Sequence, residues 1–99
     1  MGTPLVSVVI PALNEEKYIG DCLKSIRNQS YKKLEIIVVV DSQTTDNTVA
    51  IAKKYADKVV IRSANIARSR NIGARLSGGE ILIFMDADVI LPKRTIISS

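Results

Sequence analysis

The acidic side chains that follow three apolar segments of this sequence are the residues best suited to chemistry. In chain order they are Glu15, Asp41, Asp86 and Asp88. Carboxylates that come close together repel one another unless a cation or a donor-rich ligand joins them. An Asp-x-Asp pair on an extended segment projects both side chains to one side of the chain, because side chains alternate with a period of two. Asp86 and Asp88 are therefore candidate ligands for a cation.

The ligand set predicts which cation this would be. The chain has 99 residues with no histidine and a single cysteine. Oxygen ligands alone favour a hard divalent ion, Mg²⁺ or Mn²⁺, over Zn²⁺. Mg²⁺ uses one or two carboxylates and completes its shell with waters and substrate phosphates, so a metal-bridged diphosphate is the expected ligand. The alternative is that these aspartates are only turn or capping groups.

Composition excludes several functional classes. Without histidine there is no imidazole general base and no Ser-His-Asp triad. A single cysteine forms no internal disulfide, which favours a reducing, cytoplasmic location, and Cys22 is expected to be a small apolar residue on a helix face. The formal net charge is +4 with only three Tyr and one Phe, so nucleic-acid binding is not expected. No signal peptide and no apolar run long enough for a bilayer are visible.

Strand and helix periodicities alternate along the chain. Apolar runs rich in β-branched residues predict strands at Leu5–Ile10, Glu35–Val40, Lys58–Arg62 and Ile81–Met85. Pro11 is expected to end the first strand. Strand–helix–strand alternation with short connections predicts an α/β fold with a parallel sheet, whose ligand site lies at the carboxyl ends of the strands.

Three helices should connect these strands. The first is expected to begin at an Asn14 N-cap, with Glu15 and Glu16 in its first turn. Its apolar stripe comprises Tyr18, Ile19, Cys22, Leu23 and Ile26. Thr44–Asn47 can cap the second helix, whose inner face would carry Val49, Ala52 and Ala56. The third runs from about Ala67 to Ser77 and should bury Ser69, Ile72, Gly73 and Leu76.

Three arginines lie off the predicted apolar stripe of the third helix. They are Arg68, Arg70 and Arg75. One reading is that at least one of them reaches a phosphate at the binding edge. The other is that all three are solvated.

Four segments at regular spacing resemble family 2 glycosyltransferases. They are Val6–Glu16, Glu35–Asp41 with Thr45–Thr48, Arg70–Gly73 with Gly79–Ile81, and Asp86–Asp88 with Pro92. The resemblance spans nearly all of residues 5–95. It implies a three-layer α/β/α Rossmann-like parallel sheet of the GT-A type, here apparently truncated after the fourth strand. Residues 1–99 would form a single donor-binding half-domain without the acceptor half.

The resemblance also implies roles for individual residues. Pro11, Leu13 and Glu15 would contact the nucleoside, and Asp41 would bind the base. Asp86 and Asp88 would hold the metal and the diphosphate, while Arg70 would lie near the nucleotide. Leu13 stands where an aromatic residue is common in the family, which would weaken stacking against the nucleoside.

The function expected from this resemblance is metal-assisted transfer of a sugar from a UDP- or GDP-linked donor to an acceptor hydroxyl. The acceptor would be a saccharide or a lipid-linked molecule, and the enzyme would be cytoplasmic or peripheral to the membrane. No residue is assignable as the catalytic base. The alternatives are a non-catalytic module that binds nucleotide sugars and an inactive fragment of a longer glycosyltransferase. A half-sheet should also leave apolar surface uncovered, which favours a homodimer.

Overall fold

The structure is a computed structural model and describes residues 3–63 and 65–92. Strands and helices alternate throughout these residues. The strands are β1 (Val6–Ala12), β2 (Leu34–Asp41), β3 (Lys58–Arg62) and β4 (Ile81–Phe84). The helices are α1 (Ile19–Arg27), α2 (Thr48–Tyr55) and α3 (Ile66–Leu76). The order of elements expected from the sequence is confirmed.

The four strands form one parallel sheet in the order β3-β2-β1-β4. β1 and β2 lie in the middle, and their side chains are buried on both faces, which explains why these segments are apolar without alternation. All four carboxyl ends lie along the same edge of the sheet. The fold thus brings the acidic residues after β1, β2 and β4 to one edge.

One face of the sheet is covered by α1 and α2. The buried side chains of α1 are those of Ile19, Cys22, Leu23 and Ile26, and they pack with Ala52 of α2 on the even-numbered residues of β1 and β2. Val49 and Ala56 pack at the margin of this core, as expected for the inner face of α2.

The opposite face is covered by α3. Val9, Ile37 and Val39 form a second, smaller core with Ile72 and Leu76. Gly73 is required for this contact, because a Cβ atom at that position would overlap the Val9 side chain. The two cores on opposite faces make a three-layer α/β/α architecture.

β1 continues through Pro11, contrary to the expectation that this proline ends the strand. Pro11 pairs with Val39 of β2. The Val9 carbonyl accepts from the Met85 N–H on the other side of the strand, and Pro11 presents its nitrogen to that same side, where β4 has already ended at Phe84. The missing N–H of Pro11 therefore costs no ladder hydrogen bond.

The start of α1 also differs from the prediction. The helix begins at Ile19, so Asn14 is not its N-cap, and Asp21 is the acidic residue of its first turn. Asn14 instead adopts a left-handed backbone conformation with φ 50°. Tyr18 is not part of the buried stripe, since it is 54% exposed.

A polar cluster joins the end of α3 to the amino ends of the strands. Glu35 accepts from the Ser7 hydroxyl and the Gly78 N–H, both at 2.8 Å, and pairs with Lys58 at 3.1 Å. Burial alone would raise the pKa of Glu35, but these donors outweigh it and the pKa lies below its usual value of 4.5. A Cβ atom on Gly79 would meet the Ser7 backbone nitrogen at 2.8 Å, so only glycine fits there.

The two edge strands differ in character. β4 exposes Ile81, Leu82 and Phe84, each by at least 40%. β3 carries Lys58 and Arg62 at its two ends. The uncovered apolar surface expected from the sequence is therefore present at β4.

Among the described residues, no helix is long and apolar enough to cross a membrane.

Candidate active site at the carboxyl edge

A cavity of about 840 Å³ opens at the carboxyl edge of the sheet. Residues at or just beyond the carboxyl ends of β1, β2 and β4 line it together with the start of α3. The lining residues that were expected from the sequence are Pro11, Leu13, Glu15, Asp41, Asp86 and Asp88. Six of the seven site residues expected from the sequence thus line one cavity. Acidic residues that are distant in the sequence therefore lie around one cavity, as expected.

Leu13 and Glu15 lie on the loop between β1 and α1, and Asn14 shapes that loop. The Asn14 side-chain oxygen accepts from the Thr45 N–H at 2.9 Å. Its own N–H donates to the Thr44 hydroxyl at 3.3 Å. Asparagine tolerates the left-handed backbone found here better than most residues do. Leu13 is left 47% exposed beside the cavity.

The same loop is bound to the start of α2 by two further residues. The Glu15 N–H donates to the buried Thr48 hydroxyl at 2.8 Å. Glu16 donates its N–H to the Asp46 carboxylate at 3.1 Å and accepts from the Asn47 N–H at 3.1 Å. These reciprocal hydrogen bonds fix the Glu15 backbone at the cavity wall.

Asp46 is a positioning group in this network. Its carboxylate accepts from the Thr48 N–H at 2.9 Å and from the Thr48 hydroxyl at 2.5 Å, so it caps α2 where Asn47 makes no side-chain cap. Desolvation opposes its charge, but the hydrogen bonds from Thr48 and Glu16 together hold the pKa of Asp46 below its usual value. The capping role expected of residues 44–47 is therefore performed by Asp46.

Asp41 ends β2 at the floor of the cavity. One of its carboxylate oxygens accepts from the Gln43 N–H at 2.9 Å, and its carbonyl accepts from the Thr44 N–H at 2.9 Å. Asp41 thus forms an Asx-type turn, a common role for an aspartate at the end of a strand. The second carboxylate oxygen is available to the cavity, and the two roles are compatible.

Asp86 and Asp88 lie on a turn, contrary to the extended segment expected for them. The Val89 N–H donates to the Asp86 carbonyl at 3.2 Å and closes the turn. Ala87 between them is buried in the core beneath α1, while both aspartates are exposed at the cavity. The buried methyl group between two exposed acids places both carboxylates at the cavity wall without an extended backbone.

Polar residues of α1 and of the turn that follows it hold the segment after β4 in place. Cys22 Sγ donates to the Asp86 carbonyl at 3.7 Å, the Ser25 hydroxyl accepts from the Leu91 N–H at 3.0 Å, and the Gln29 amide donates to the Pro92 carbonyl at 2.8 Å. Ser25 and Gln29 are buried, and these contacts satisfy them.

Cys22 is an anchor and not a reactive thiol. It is fully buried on α1, as expected from the sequence. Burial, with Asp88 and Glu15 nearby, raises the pKa of the Cys22 thiol to about 11. The thiolate is therefore scarce at neutral pH.

The cavity is acidic. Its lining holds the four carboxylates of Glu15, Asp41, Asp86 and Asp88, and no lysine or arginine from residues 3–63 and 65–92 joins them. Desolvation and the neighbouring charges of Asp88, Asp46 and Asp86 raise the pKa of Glu15. Repulsion from neighbouring aspartates thus adds to burial in disfavouring the charged form of Glu15.

The start of α3 is the part of the cavity that the sequence did not predict. Asn65, Ile66, Ala67 and Ser69 line it, and the Asn65 side chain caps the helix by accepting from the Arg68 N–H at 2.8 Å. One signal was available, because β3 ends at Arg62 on the same edge as the other strands. The residues that follow β3 must therefore approach the site as well.

None of the three arginines of α3 lines this cavity. Arg70 holds its guanidinium over the Phe84 ring, 5.8 Å from the ring centroid. Arg68 and Arg75 border a separate cavity beside β3. The structure therefore does not bring Arg70 together with the other expected site residues.

The residues present fit a cation that is shared with a ligand. Within the described residues, no group of three or more His, Cys, Asp or Glu side chains could enclose a metal ion. Two carboxylates at one wall suit an ion such as Mg²⁺ or Mn²⁺, which takes its remaining oxygens from water and phosphate. The donor set is consistent with an ion bound together with a diphosphate.

The fold and this edge cavity define an α/β protein whose ligand site lies at the carboxyl ends of a parallel sheet. The sequence profile described as glycosyl transferase family 2 matches residues 7–97. The chain therefore belongs to glycosyl transferase family 2, and its fold is the GT-A type.

Individual relatives agree with this assignment. Poly(ribitol-phosphate) beta-N-acetylglucosaminyltransferase TarS of Staphylococcus aureus is 34% identical over 98 residues, which cover 91% of this chain and 17% of TarS. The chain is 38% identical over 94 residues to the glycosyltransferase EpsH, named as putative, of Bacillus subtilis, covering 89% of the chain and 27% of EpsH. The chain thus spans less than a third of these relatives.

The fold is shared with a solved mannosyltransferase. PcManGT from Pyrobaculum calidifontis, in complex with GDP-Man and Mn²⁺, superimposes with a TM-score of 0.82 at 32% identity, covering 92% of this chain and 29% of PcManGT. This chain therefore has the same architecture as a nucleotide-sugar-bound protein over nearly all its length.

Proposed function

We propose that this chain is the donor-binding part of a metal-assisted glycosyltransferase, which moves a sugar from a nucleoside diphosphate sugar to an acceptor hydroxyl. The observation that carries the proposal is the acidic lining of the 840 Å³ cavity, which lacks basic residues from the described part of the chain. A diphosphate entering such a cavity would be repelled by its walls. A divalent cation between the two sets of oxygens converts that repulsion into attraction.

Asp86 and Asp88 would hold the cation, at the turn that α1 anchors through Cys22. When bound, a divalent cation offsets the negative charge that develops on the departing nucleoside diphosphate. Mn²⁺ in the PcManGT complex supports a divalent ion here. Both Mn²⁺ and Mg²⁺ fit the oxygen ligand set.

The nucleoside would lie against the loop after β1. Pro11 and Leu13 offer an apolar wall, and Asp41 at the end of β2 has a carboxylate oxygen that can accept from the base. Asn14 and Glu15 are hydrogen-bonded to Thr45 and Thr48, and these bonds hold the loop after β1 in place before the ligand arrives. Little ordering of that loop would therefore be required on binding.

The amino end of α3 supplies partial positive charge at the same cavity. Asn65 caps the helix there, and Ser69 is buried behind it. The helix dipole favours anions at this end. We assign this helix end a contribution to holding the diphosphate, alongside the cation.

The donor proposal is tested by calorimetric titration of UDP and GDP into the chain, with and without Mn²⁺. Binding should require Mn²⁺ and should weaken at least about tenfold in Asp88→Asn, which removes one charge from the cavity. Asp21→Asn, on the exposed side of α1, should bind like the unmodified chain. Failure of a folded sample to bind either nucleotide in Mn²⁺ would refute the proposal.

Turnover separates a transferase from a module that only binds the donor. Incubation with UDP- and GDP-linked sugars, followed by detection of released nucleoside diphosphate, should show Mn²⁺-dependent hydrolysis or transfer that Asp88→Asn abolishes. Binding without any release would favour the binding module. The acceptor class and the cytoplasmic location remain predictions from the sequence.

A further inference from the structure

A second cavity, of about 370 Å³, lies between the end of β3 and one face of α3. Its lining consists of three arginines, two small polar residues and one apolar residue: Arg62, Ser63, Arg68, Asn71, Ile72 and Arg75. None of these residues lines the acidic cavity. The two cavities therefore have separate walls and opposite charge.

Helix periodicity explains how the basic residues come together. Arg68, Asn71 and Arg75 are spaced by three and four residues, so they share one face of α3. Arg62 is the last residue of β3, and Ile72 packs on the core of Val9, Ile37 and Val39. The helix is thus held on the sheet by Ile72, with Arg68 and Arg75 facing the end of β3.

The charges of this cavity are not compensated within the described residues. The ion pairs among the described residues join Arg27 to Asp57 and Lys58 to Glu35, and neither pair includes an arginine of the cavity. No carboxylate lines the cavity, and Arg62 donates to a carbonyl oxygen, that of Ile61, at 2.8 Å. Three guanidinium groups at one cavity repel one another unless an anion joins them.

We propose that this basic cavity binds the phosphate group of a phosphate-bearing ligand, independently of the donor site. Planar guanidinium groups present paired N–H donors that match phosphate oxygens. The Asn71 amide and the Ser63 hydroxyl add neutral donors beside them. A cavity of about 370 Å³ is at the small end of ligand sites, which suits a soluble phosphate compound or a lipid headgroup.

The test is titration of pyrophosphate into the chain in the presence of a metal chelator, so that the acidic cavity does not contribute. The variant Arg68→Gln/Arg75→Gln should bind at least about tenfold more weakly. A matched control, Lys53→Gln/Lys54→Gln, removes the same two charges from exposed positions of α2 and should bind like the unmodified chain. Circular dichroism verifies that each variant is folded.

Two results would overturn the proposal. One is equal weakening in the arginine and lysine variants, which would show a nonspecific charge effect. The other is the absence of saturable pyrophosphate binding by the folded chain. Asp88→Asn should keep pyrophosphate affinity unchanged, so failure of the donor proposal and failure of this one are distinguishable.

Sedimentation with phosphatidylcholine vesicles, with and without phosphatidic acid, identifies the source of the phosphate. Arginine-dependent binding only to the phosphatidic acid vesicles would support a lipid headgroup. Pyrophosphate binding without vesicle binding would support a soluble phosphate compound. Both results support the phosphate site itself.

Discussion

The Glu15 N–H donates to the Thr48 hydroxyl across 2.8 Å and thereby links the loop after β1 to the first residue of α2. Thr48 is fully buried, and its hydroxyl donates in turn to the Asp46 carboxylate. One hydroxyl therefore joins the loop after β1, which lines the acidic cavity, to the loop that precedes α2. We expect the proposed donor site to depend on this contact as well as on the residues that would touch ligand.

Replacing Thr48 should weaken both the fold and the donor site. Thr48→Val keeps the shape but leaves the partly buried Glu15 N–H without its acceptor, which costs about 1–3 kcal/mol of unfolding free energy. Thr48→Ser keeps the hydroxyl and should lose less. Urea unfolding and UDP titration in Mn²⁺ measure the two effects. Equal behaviour of the valine and serine variants would contradict the assigned role.

The adjacent glycines after α3 should respond differently to alanine. A Cβ on Gly79 meets backbone atoms of Leu5 and Ser7 at 2.9 and 2.8 Å, whereas a Cβ on Gly78 meets nothing closer than 3.9 Å. Gly79→Ala should cost about 1–3 kcal/mol of unfolding free energy. Gly78→Ala should change it by less than about 0.5 kcal/mol. Similar urea midpoints for the two variants would contradict the close approach at Gly79.

Glu15→Gln should raise the thermal midpoint at pH 7 in metal-free buffer. Burial and the charges of Asp88 and its neighbours raise the pKa of Glu15, so its charged form destabilises the folded state. The folded state retains the proton above pH 4.5, and stability falls as pH rises from there through the raised pKa. The advantage of the variant should vanish below pH 4.5, where Glu15 is neutral in both states. Glu80→Gln, before β4, serves as the control, and a variant less stable than the parent at pH 7 would contradict the repulsion.

We predict that the chain self-associates through β4 and not through β3. β4 exposes Leu82 and Phe84, while Lys58 and Arg62 flank β3 and discourage pairing there. Light scattering should therefore show a dimer that Leu82→Lys dissociates and Ile61→Lys does not. A monomer at all concentrations would refute the homodimer expected from the sequence.

The sheet and the packing of α3 could be predicted because local signals agreed with the tertiary structure. Unbroken β-branched runs indicated β2 as buried on both faces, and the small residues Ser69 and Gly73 indicated the face of α3 that meets the sheet. In both cases the pattern reflects burial, which is the main physical constraint on those residues.

The loops at the site could not be predicted because long-range hydrogen bonds shape them. The residues that follow Asn14 in the sequence predict that it caps a helix. In the structure its side chain instead accepts a hydrogen bond from Thr45, 31 residues away. The turn at Asp86 depends on the burial of Ala87 and on α1. Sequence spacing indicated which acids would meet, but the backbone beneath them is set by distant partners.

We propose that the acidic cavity binds a diphosphate together with a cation. The most direct test is whether nucleotide binding raises the affinity for the cation. Mn²⁺ affinity, measured by electron paramagnetic resonance of the free ion, should rise at least about tenfold when UDP or GDP is present. The coupling should be lost in Asp88→Asn. Mn²⁺ affinity that is the same with and without nucleotide would contradict the claim.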